Sequence, residues 1–232
     1  LGGGSIMAAA QHSSHRPPSD TNTPRAVFGN SPETLAQIYR SDVHLAVWQR
    51  QKTPCLPNEW RLRNGGKPIS QRTTLSSANV RNLEGAVPVL APYPELSEDI
   101  GLLADMFSYL FELTAIGLRI ATLTQPMCPK FHVDRVPCRL ITTYVGPGSQ
   151  WLPHHCTDRS KLGAGSAGLS DAESGLYPST DAIQTLRAGD VALLKGESWE
   201  NNEGAGLVHR SPAVKSGQQR LLLTLDFAVA SG

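Results

Sequence analysis

The sequence predicts an α+β protein in which a double-stranded β-helix (a jelly roll) is buttressed by N-terminal helices. Three observations predict it. The spacing of apolar residues follows a helical period in the first half and a period of two in the second. From Leu118 onward many short apolar runs follow one another, each bounded by Gly, Pro, Asn or Asp. Charged residues make up only 18% of the 232, while Gly (21) and Pro (17) are plentiful. A chain poor in charge and rich in turn formers does not build a helical bundle or coiled coil. A hydrophobic share of 40% suffices for a core at this size.

Residues 1–30 are expected to stay outside that fold. The start, LGGGSIM, has neither the basic nor the apolar region of a signal peptide and reads as an extraneous remnant before Met7. Residues 8 to about 30 hold almost no large apolar groups and cannot offset their ordering entropy, so a disordered tail carrying His12 and His15 is expected.

The support region spans 31–116. Ser31-Pro32-Glu33 is a helix start: a capping residue, Pro at the first helical position, and an acid in the first turn. That helix should end near Asp42. Val43–Trp48 reads as a strand, 52–69 as a Pro- and Gly-rich loop, and Ser70–Leu83 as a second helix. The clearest helix runs from Ser97 to Ala115, capped by Ser97, with Ile100, Leu103, Phe107, Leu110, Phe111 and Thr114 on one face. The β-helical region, 117–232, forms one compact unit with 31–116. Its strands are expected at 118–124, 131–134, 139–145, 182–186, 190–195, 206–210 and 220–229. Residues 157–181 interrupt them and suggest a flexible lid. KLGAGSAG within that stretch lacks the GK[ST] ending of a phosphate loop.

Composition excludes several classes. Lys+Arg (21) and Asp+Glu (20) leave a net charge of +1, so there is no electrostatic case for nucleic acid or an anionic membrane. No run nears the roughly 18 apolar residues that span a bilayer. Cys55, Cys128, Cys138 and Cys156 without a secretion signal point to free thiols and a reducing, cytoplasmic setting.

The chemistry gathers in the second half. His132 and Asp134 in FHVD are two apart, so in a strand they share a face. His209, in LVHRSP far downstream, can complete the set, because a jelly roll brings distant strands face to face. Two His and one carboxylate on one face of a cation leave the opposite positions open, as non-haem Fe(II) sites require. After His209, Arg220 opens RLLLTLDF, and its guanidinium fork matches a carboxylate. If a 2-keto acid chelates the iron, Arg220 would hold the acid's distal carboxylate, with Tyr144 adding a hydroxyl. Arg139 either contacts the cosubstrate or pairs with Asp134 or Asp226 to orient a ligand. GDVALLKGESW, a strand and turn, would end beside the metal.

HVD (132–134), RLITTYVG (139–146), AGDVALLKG (188–196), VHRSP (208–212) and RLLLTLDF (220–227) together resemble the 2-oxoglutarate/Fe(II) dioxygenase superfamily, nearest its prolyl-hydroxylase-type branch. CPKFHVD, DRSKLGAGSAGL, GDVALLKGESW and VHRSP resemble a bacterial family of unknown function, DUF1826, over nearly the whole folded chain. The resemblance implies His132, Asp134 and His209 as metal ligands, Arg220 and Tyr144 as 2-oxoglutarate contacts, and a dioxygenase that oxidises a small molecule or peptide. The stretch 150–169 departs from the Gly-Gly-rich strand that many superfamily members carry there. Two other readings stand beside this one. The triad would serve Zn(II) in a non-catalytic metal-handling protein, or a degenerate jelly roll would bind a partner through 146–181. His154-His155-Cys156, with Cys128 and Cys138 flanking HVD, offers zinc-type donors without the usual zinc spacing. Trp151 and Trp199 either wall a pocket or pack in the core.

Overall fold

The computed structural model describes residues 23–54, 56, 67–80 and 83–228. Residues 1–22 of the expected tail, with His12 and His15, the Cys55 thiol and most of the 52–69 loop lie outside these, whereas the end of that tail is not disordered: Arg25–Gly29 is a strand, held by parallel pairing with Val43–Trp48. Ten strands form two sheets: β1 (Arg25–Gly29), β2 (Val43–Trp48), β3 (Ser70–Ser76), β4 (Ala115–Leu123), β5 (Cys138–Val145), β6 (Gln150–Leu152), β7 (Gln184–Thr185), β8 (Val191–Lys195), β9 (Val208–Arg210) and β10 (Arg220–Phe227). The larger sheet has the order β1-β2-β8-β5-β10-β4-β3, the smaller β7-β6-β9. The two faces of this double-stranded β-helix are thus mostly antiparallel, with one parallel pair, β1 and β2.

Alternation along β10 shows how the sheet divides its side chains. Leu221, Leu223, Leu225 and Phe227 pack against the helical layer, whereas Leu222 lies in the cluster between the sheets. Arg220, Thr224 and Asp226 share the inner face with Leu222. The helical layer is a 3₁₀ helix (Pro32–Tyr39), two short helices, α1 (Ser77–Val80) and α2 (Leu83–Ala86), and α3 (Pro94–Leu110). Leu96, Ile100, Leu103, Ala104 and Phe107 form the buried stripe of α3. Among the described residues, no helix is long and apolar enough to cross a membrane.

Four local expectations are corrected. The helix predicted over 97–115 begins at Pro94, and Ser97 is buried within it instead of capping it. Pro94 needs no hydrogen-bond acceptor and presets the helical φ. At the other end Glu112 turns the chain with φ 52° before β4. The helix predicted over 70–83 is mostly strand: 70–76 pairs along β4 from Ala121 to Ala115, and among the described residues only 77–80 and Leu83 are helical. Edge pairing outweighs a weak local helical pattern. Residues 131–134 make a single bridge, His132 to His209, rather than a strand. The 157–181 stretch carries short 3₁₀ turns at 159–161 and 163–166 and packs Leu162, Leu176 and Tyr177 with Phe131, Leu152 and Val208 on the outer face of the small sheet.

Candidate metal centre

The bridge between His132 and His209 is a reciprocal pair of backbone bonds, 3.0 Å each way. It ties the HVD segment to β9 and sets the two rings side by side, centroids 4.6 Å apart. Asp134 enters from the same segment. His132 Nε2 lies 3.6 Å from one of its carboxylate oxygens and His209 Nε2 3.3 Å from the other. One ligand atom from each of the three lies within 4.8 Å of the others, so the set could hold a metal ion. Exposure is graded: the side chain of His132 is 33% exposed, Asp134 14% and His209 7%. The open side of the centre is therefore that of His132.

Neighbouring carbonyls fix which nitrogen faces inward. Nδ1 of His132 donates to the Lys130 carbonyl at 3.0 Å, and Nδ1 of His209 to that of Leu207 at 3.1 Å. Both Nε2 atoms then carry the lone pair that a metal requires. Arg139 does the same for the carboxylate. It donates to Asp134 at 2.7 Å and forks onto both oxygens of Asp226, at 2.7 and 3.0 Å. Burial would raise the Asp134 carboxyl, but without a metal the bond and charge from protonated His209, with the charges of Arg139 and protonated His132, outweigh it and hold it at about 2. His132 is lowered by burial and by His209. Asp134 is thus a carboxylate at neutral pH, and the surroundings of His132 favour its neutral form. The turn after β8 supports it from below: Glu197 N–H donates to the Asp134 carbonyl at 2.9 Å. A Cβ on Gly196 would collide with the Val136 and Asp134 carbonyls, so that approach needs glycine.

Arg220 lies deeper on the inner face and is 1% exposed. Its guanidinium donates to Ser211 Oγ at 2.9 Å, Thr143 Oγ1 at 3.1 Å and Ser149 Oγ at 2.7 Å. Nε has no partner. Arg50, comparably buried, pairs with Asp99, and Arg139 with two aspartates, whereas the described residues give Arg220 no carboxylate. Burial draws it down to about 10, which leaves it charged at neutral pH. Ser211 is two residues beyond His209 and Thr143 four beyond Arg139, so the same strand faces carry both the trio and this cation.

Not every expected residue converges. The Tyr144 hydroxyl donates to Asp99 of α3 at 2.7 Å, on the helical side of the sheet. A register irregularity between Leu221 and Leu222 sits opposite Tyr144 and leaves Thr143 to meet Arg220. Arg139 is occupied by its two carboxylates, the pairing with Asp134 and Asp226 that the sequence allowed. Trp151 does face inward, paired with His209 across β6 and β9. Trp199 instead stacks under Lys195 at 4.7 Å, among the aromatics of the helical side. Among the described residues, His154, His155 and the cysteines form no metal-holding group of three or more. Cys128, Cys138 and Cys156 are free thiols. Ser149, Ser211 and Gly196 were not singled out from sequence. Small hydroxyl residues two and four positions from named ones were the available signal.

A cleft of ≈ 570 Å³ opens beside His132, lined by Val133, Arg135, Arg159, Leu162, Glu197 and Gly204 among others.

The family described as "Protein of unknown function (DUF1826)" matches residues 29–226. No curated protein sequence matches the chain. Solved structures resemble it at low identity. The dioxygenase for auxin oxidation from rice is 12% identical, with 89% of this chain and 83% of that one covered and a TM-score of 0.45. HygX from Streptomyces hygroscopicus with nickel and 2-oxoglutarate bound is 13% identical, with 86% and 88% covered and a TM-score of 0.44. A Pseudomonas putida prolyl-4-hydroxylase is 12% identical, with 86% and 98% covered and a TM-score of 0.39.

Proposed function

The chain belongs to the DUF1826 family, and we propose that it is an Fe(II)- and 2-oxoglutarate-dependent oxygenase that hydroxylates or otherwise oxidises an organic substrate. The observation that carries this reading is Arg220. A guanidinium that is 1% exposed and faces three hydroxyls and no carboxylate is an expensive arrangement in the free protein. A ligand carboxylate repays it through a charged, bidentate contact. A metal-handling protein has no use for such a cation, and a metal-chelating keto acid with a second carboxylate does.

The donor set fits the metal by its own chemistry. Two imidazoles and one carboxylate on one side leave the other positions free, the set that non-haem Fe(II) favours in oxygenases. Bound there, Fe(II) with 2-oxoglutarate and O₂ supplies a strong oxidant, with decarboxylation of the keto acid to succinate. The chain's own residues do the rest. The carbonyls of Lys130 and Leu207 hold the imidazole protons at Nδ1. Arg139 fixes the Asp134 carboxylate. Ser149, Ser211 and Thr143 aim Arg220. Leu222, Leu194, Ile141 and Trp151, buried between the sheets, exclude water from the space they enclose.

The test combines metal analysis, anaerobic 2-oxoglutarate titration and a succinate assay. Wild type with Fe(II) should form succinate from 2-oxoglutarate, and His132→Ala should not. Arg220→Gln should weaken 2-oxoglutarate by at least tenfold. Stoichiometric zinc with no 2-oxoglutarate binding to the Fe(II) form would replace this reading with the zinc-binding one. Full affinity in Arg220→Gln would remove Arg220 from the site.

A further inference from the structure

His44 and His154 take no part in the trio or in the Arg220 contacts. His44 is 2% exposed, and neither of its ring nitrogens makes a well-formed hydrogen bond, the Ala205 backbone being the one group that interacts with the ring as an acceptor. Nδ1 of His154 is likewise buried and unpartnered. Their ring centroids are 6.3 Å apart. Buried polar groups without a well-formed partner are costly, so this cluster of ring nitrogens at one spot points to a polar ligand.

The pair sits at the end of the barrel that carries the trio. Leu45, beside His44, is level with Leu194, and Leu194 with Arg139. His154 follows β6, whose Leu152 is level with Val208, next to His209. Arg159 joins the two places. Its Nη1 donates to the Gly206 carbonyl at 2.9 Å, one residue before the Leu207 carbonyl that holds His209. It also lines the cleft beside His132.

Charge and spacing indicate what the ligand is. The ionisable groups that face His44 are His154, Arg159 and Lys195, and those that face His154 are Arg159 and His155. The nearby acid is Glu197, 3.5 Å from Arg159 Nη2, with its other oxygen held by the Gly204 N–H. A cation would meet repulsion there. Two imidazoles on one zinc, at about 2.0–2.1 Å per Zn–N bond, would have centroids about 5 Å apart in tetrahedral geometry. An oxygen accepting from both rings at about 2.9 Å would separate them by about 6–6.5 Å, which matches the observed spacing. Burial, with His154 and Arg159 nearby, draws His44 down to about 3. It is therefore neutral and offers an N–H while Arg159 supplies the charge.

We infer that His44, His154 and Arg159 form an oxyanion-binding subsite, and that the molecule oxidised at the neighbouring centre is a small organic acid, a carboxylate or a phosphate ester, anchored there. The second half rests on the oxygenase reading; the subsite itself does not.

The test titrates the metal-free full chain with inorganic phosphate and, separately, with acetate at constant ionic strength, followed through the imidazole resonances by NMR. The His44 and His154 signals should shift saturably. Arg159→Gln should raise the apparent Kd about tenfold or more, and Arg159→Lys, which keeps the charge, should lie within a few-fold of wild type. Saturation by phosphate alone assigns a phosphate ester, and saturation by acetate a carboxylate. Shifts that are absent or linear with both anions, or an unchanged Kd in Arg159→Gln, would overturn the subsite. Zinc bound beyond one per chain and reduced to one by His154→Gln would assign the pair to a metal instead. Saturable anion binding in a protein that makes no succinate would keep the subsite and reject the oxygenase.

Discussion

Arg139 spans two aspartates, and only one of them, Asp134, belongs to the trio that could hold a metal. Its planar fork is satisfied by Asp226, which leaves Nη1 aimed at Asp134 with little freedom. Arg139→Gln should therefore lower divalent-metal affinity by about 10–100-fold, the range for lost support of a ligand, as read by isothermal titration. Asp226→Asn should cost less, because the bond from Arg139 to Asp134 survives it. His44 makes a different prediction, about stability. Its folded value of about 3 lies below the ordinary 6.5. The unfolded chain thus binds the proton more readily, and stability is complete above pH 6.5 and lost as pH falls from there towards 3. Between pH 7 and pH 5 the loss from this residue is about 2 kcal/mol. Urea unfolding of His44→Gln should show a pH slope reduced by that amount, and an unchanged slope would remove His44 as its source.

At the scale of elements, the turn after β8 decides how close the HVD segment can come. Gly196→Ala would place a methyl group on the Asp134 and Val136 carbonyls. It should weaken metal binding more than tenfold while Arg220 still binds its anion, a separation that the two titrations can read. GDVALLKGESW was read as a strand and turn ending beside the proposed metal, and the turn does meet the HVD segment at Asp134. His132, Asp134 and His209 were equally legible, since a period of two along short strands and their order in the chain are written in the residues themselves. Tyr144 was misassigned. The period of two in β5 puts it on the face opposite Arg139, Ile141 and Thr143, where it meets Asp99, so the alternation itself argued against a site role. The first turns of β3 failed for another reason. SQRTTLS has no strong propensity, and its state is set by the free edge of β4. The pairing of β1 with β2 in parallel depends on the 3₁₀ helix that returns the chain, and the sequence marks that helix through Ser31-Pro32-Glu33 but not its outcome.

Over the whole molecule, the outer face of the large sheet is covered by α3 and the 3₁₀ helix, and that of the small sheet by the 157–183 segment. The space between the sheets is left for the trio at one end and Arg220 within. Counting formal charges there gives a consequence of its own. Asp134, Asp226 and Arg139 together carry one negative charge, and Arg220 one positive. Without metal the enclosed groups are neutral as a set, and a dianion added to them meets two carboxylates and two guanidiniums. A divalent ion brings the set to plus two, which a keto dicarboxylate then cancels. The two binding events are thereby coupled, and linkage makes the coupling mutual. The metal-loaded protein should bind 2-oxoglutarate tighter than the metal-free protein, and 2-oxoglutarate should tighten the metal by the same factor. Unequal factors, or none, in paired calorimetric titrations would refute it. On the proposed reading, loading in the order metal, then acid, would be an electroneutrality condition that Arg139 and its two aspartates set before either ligand arrives.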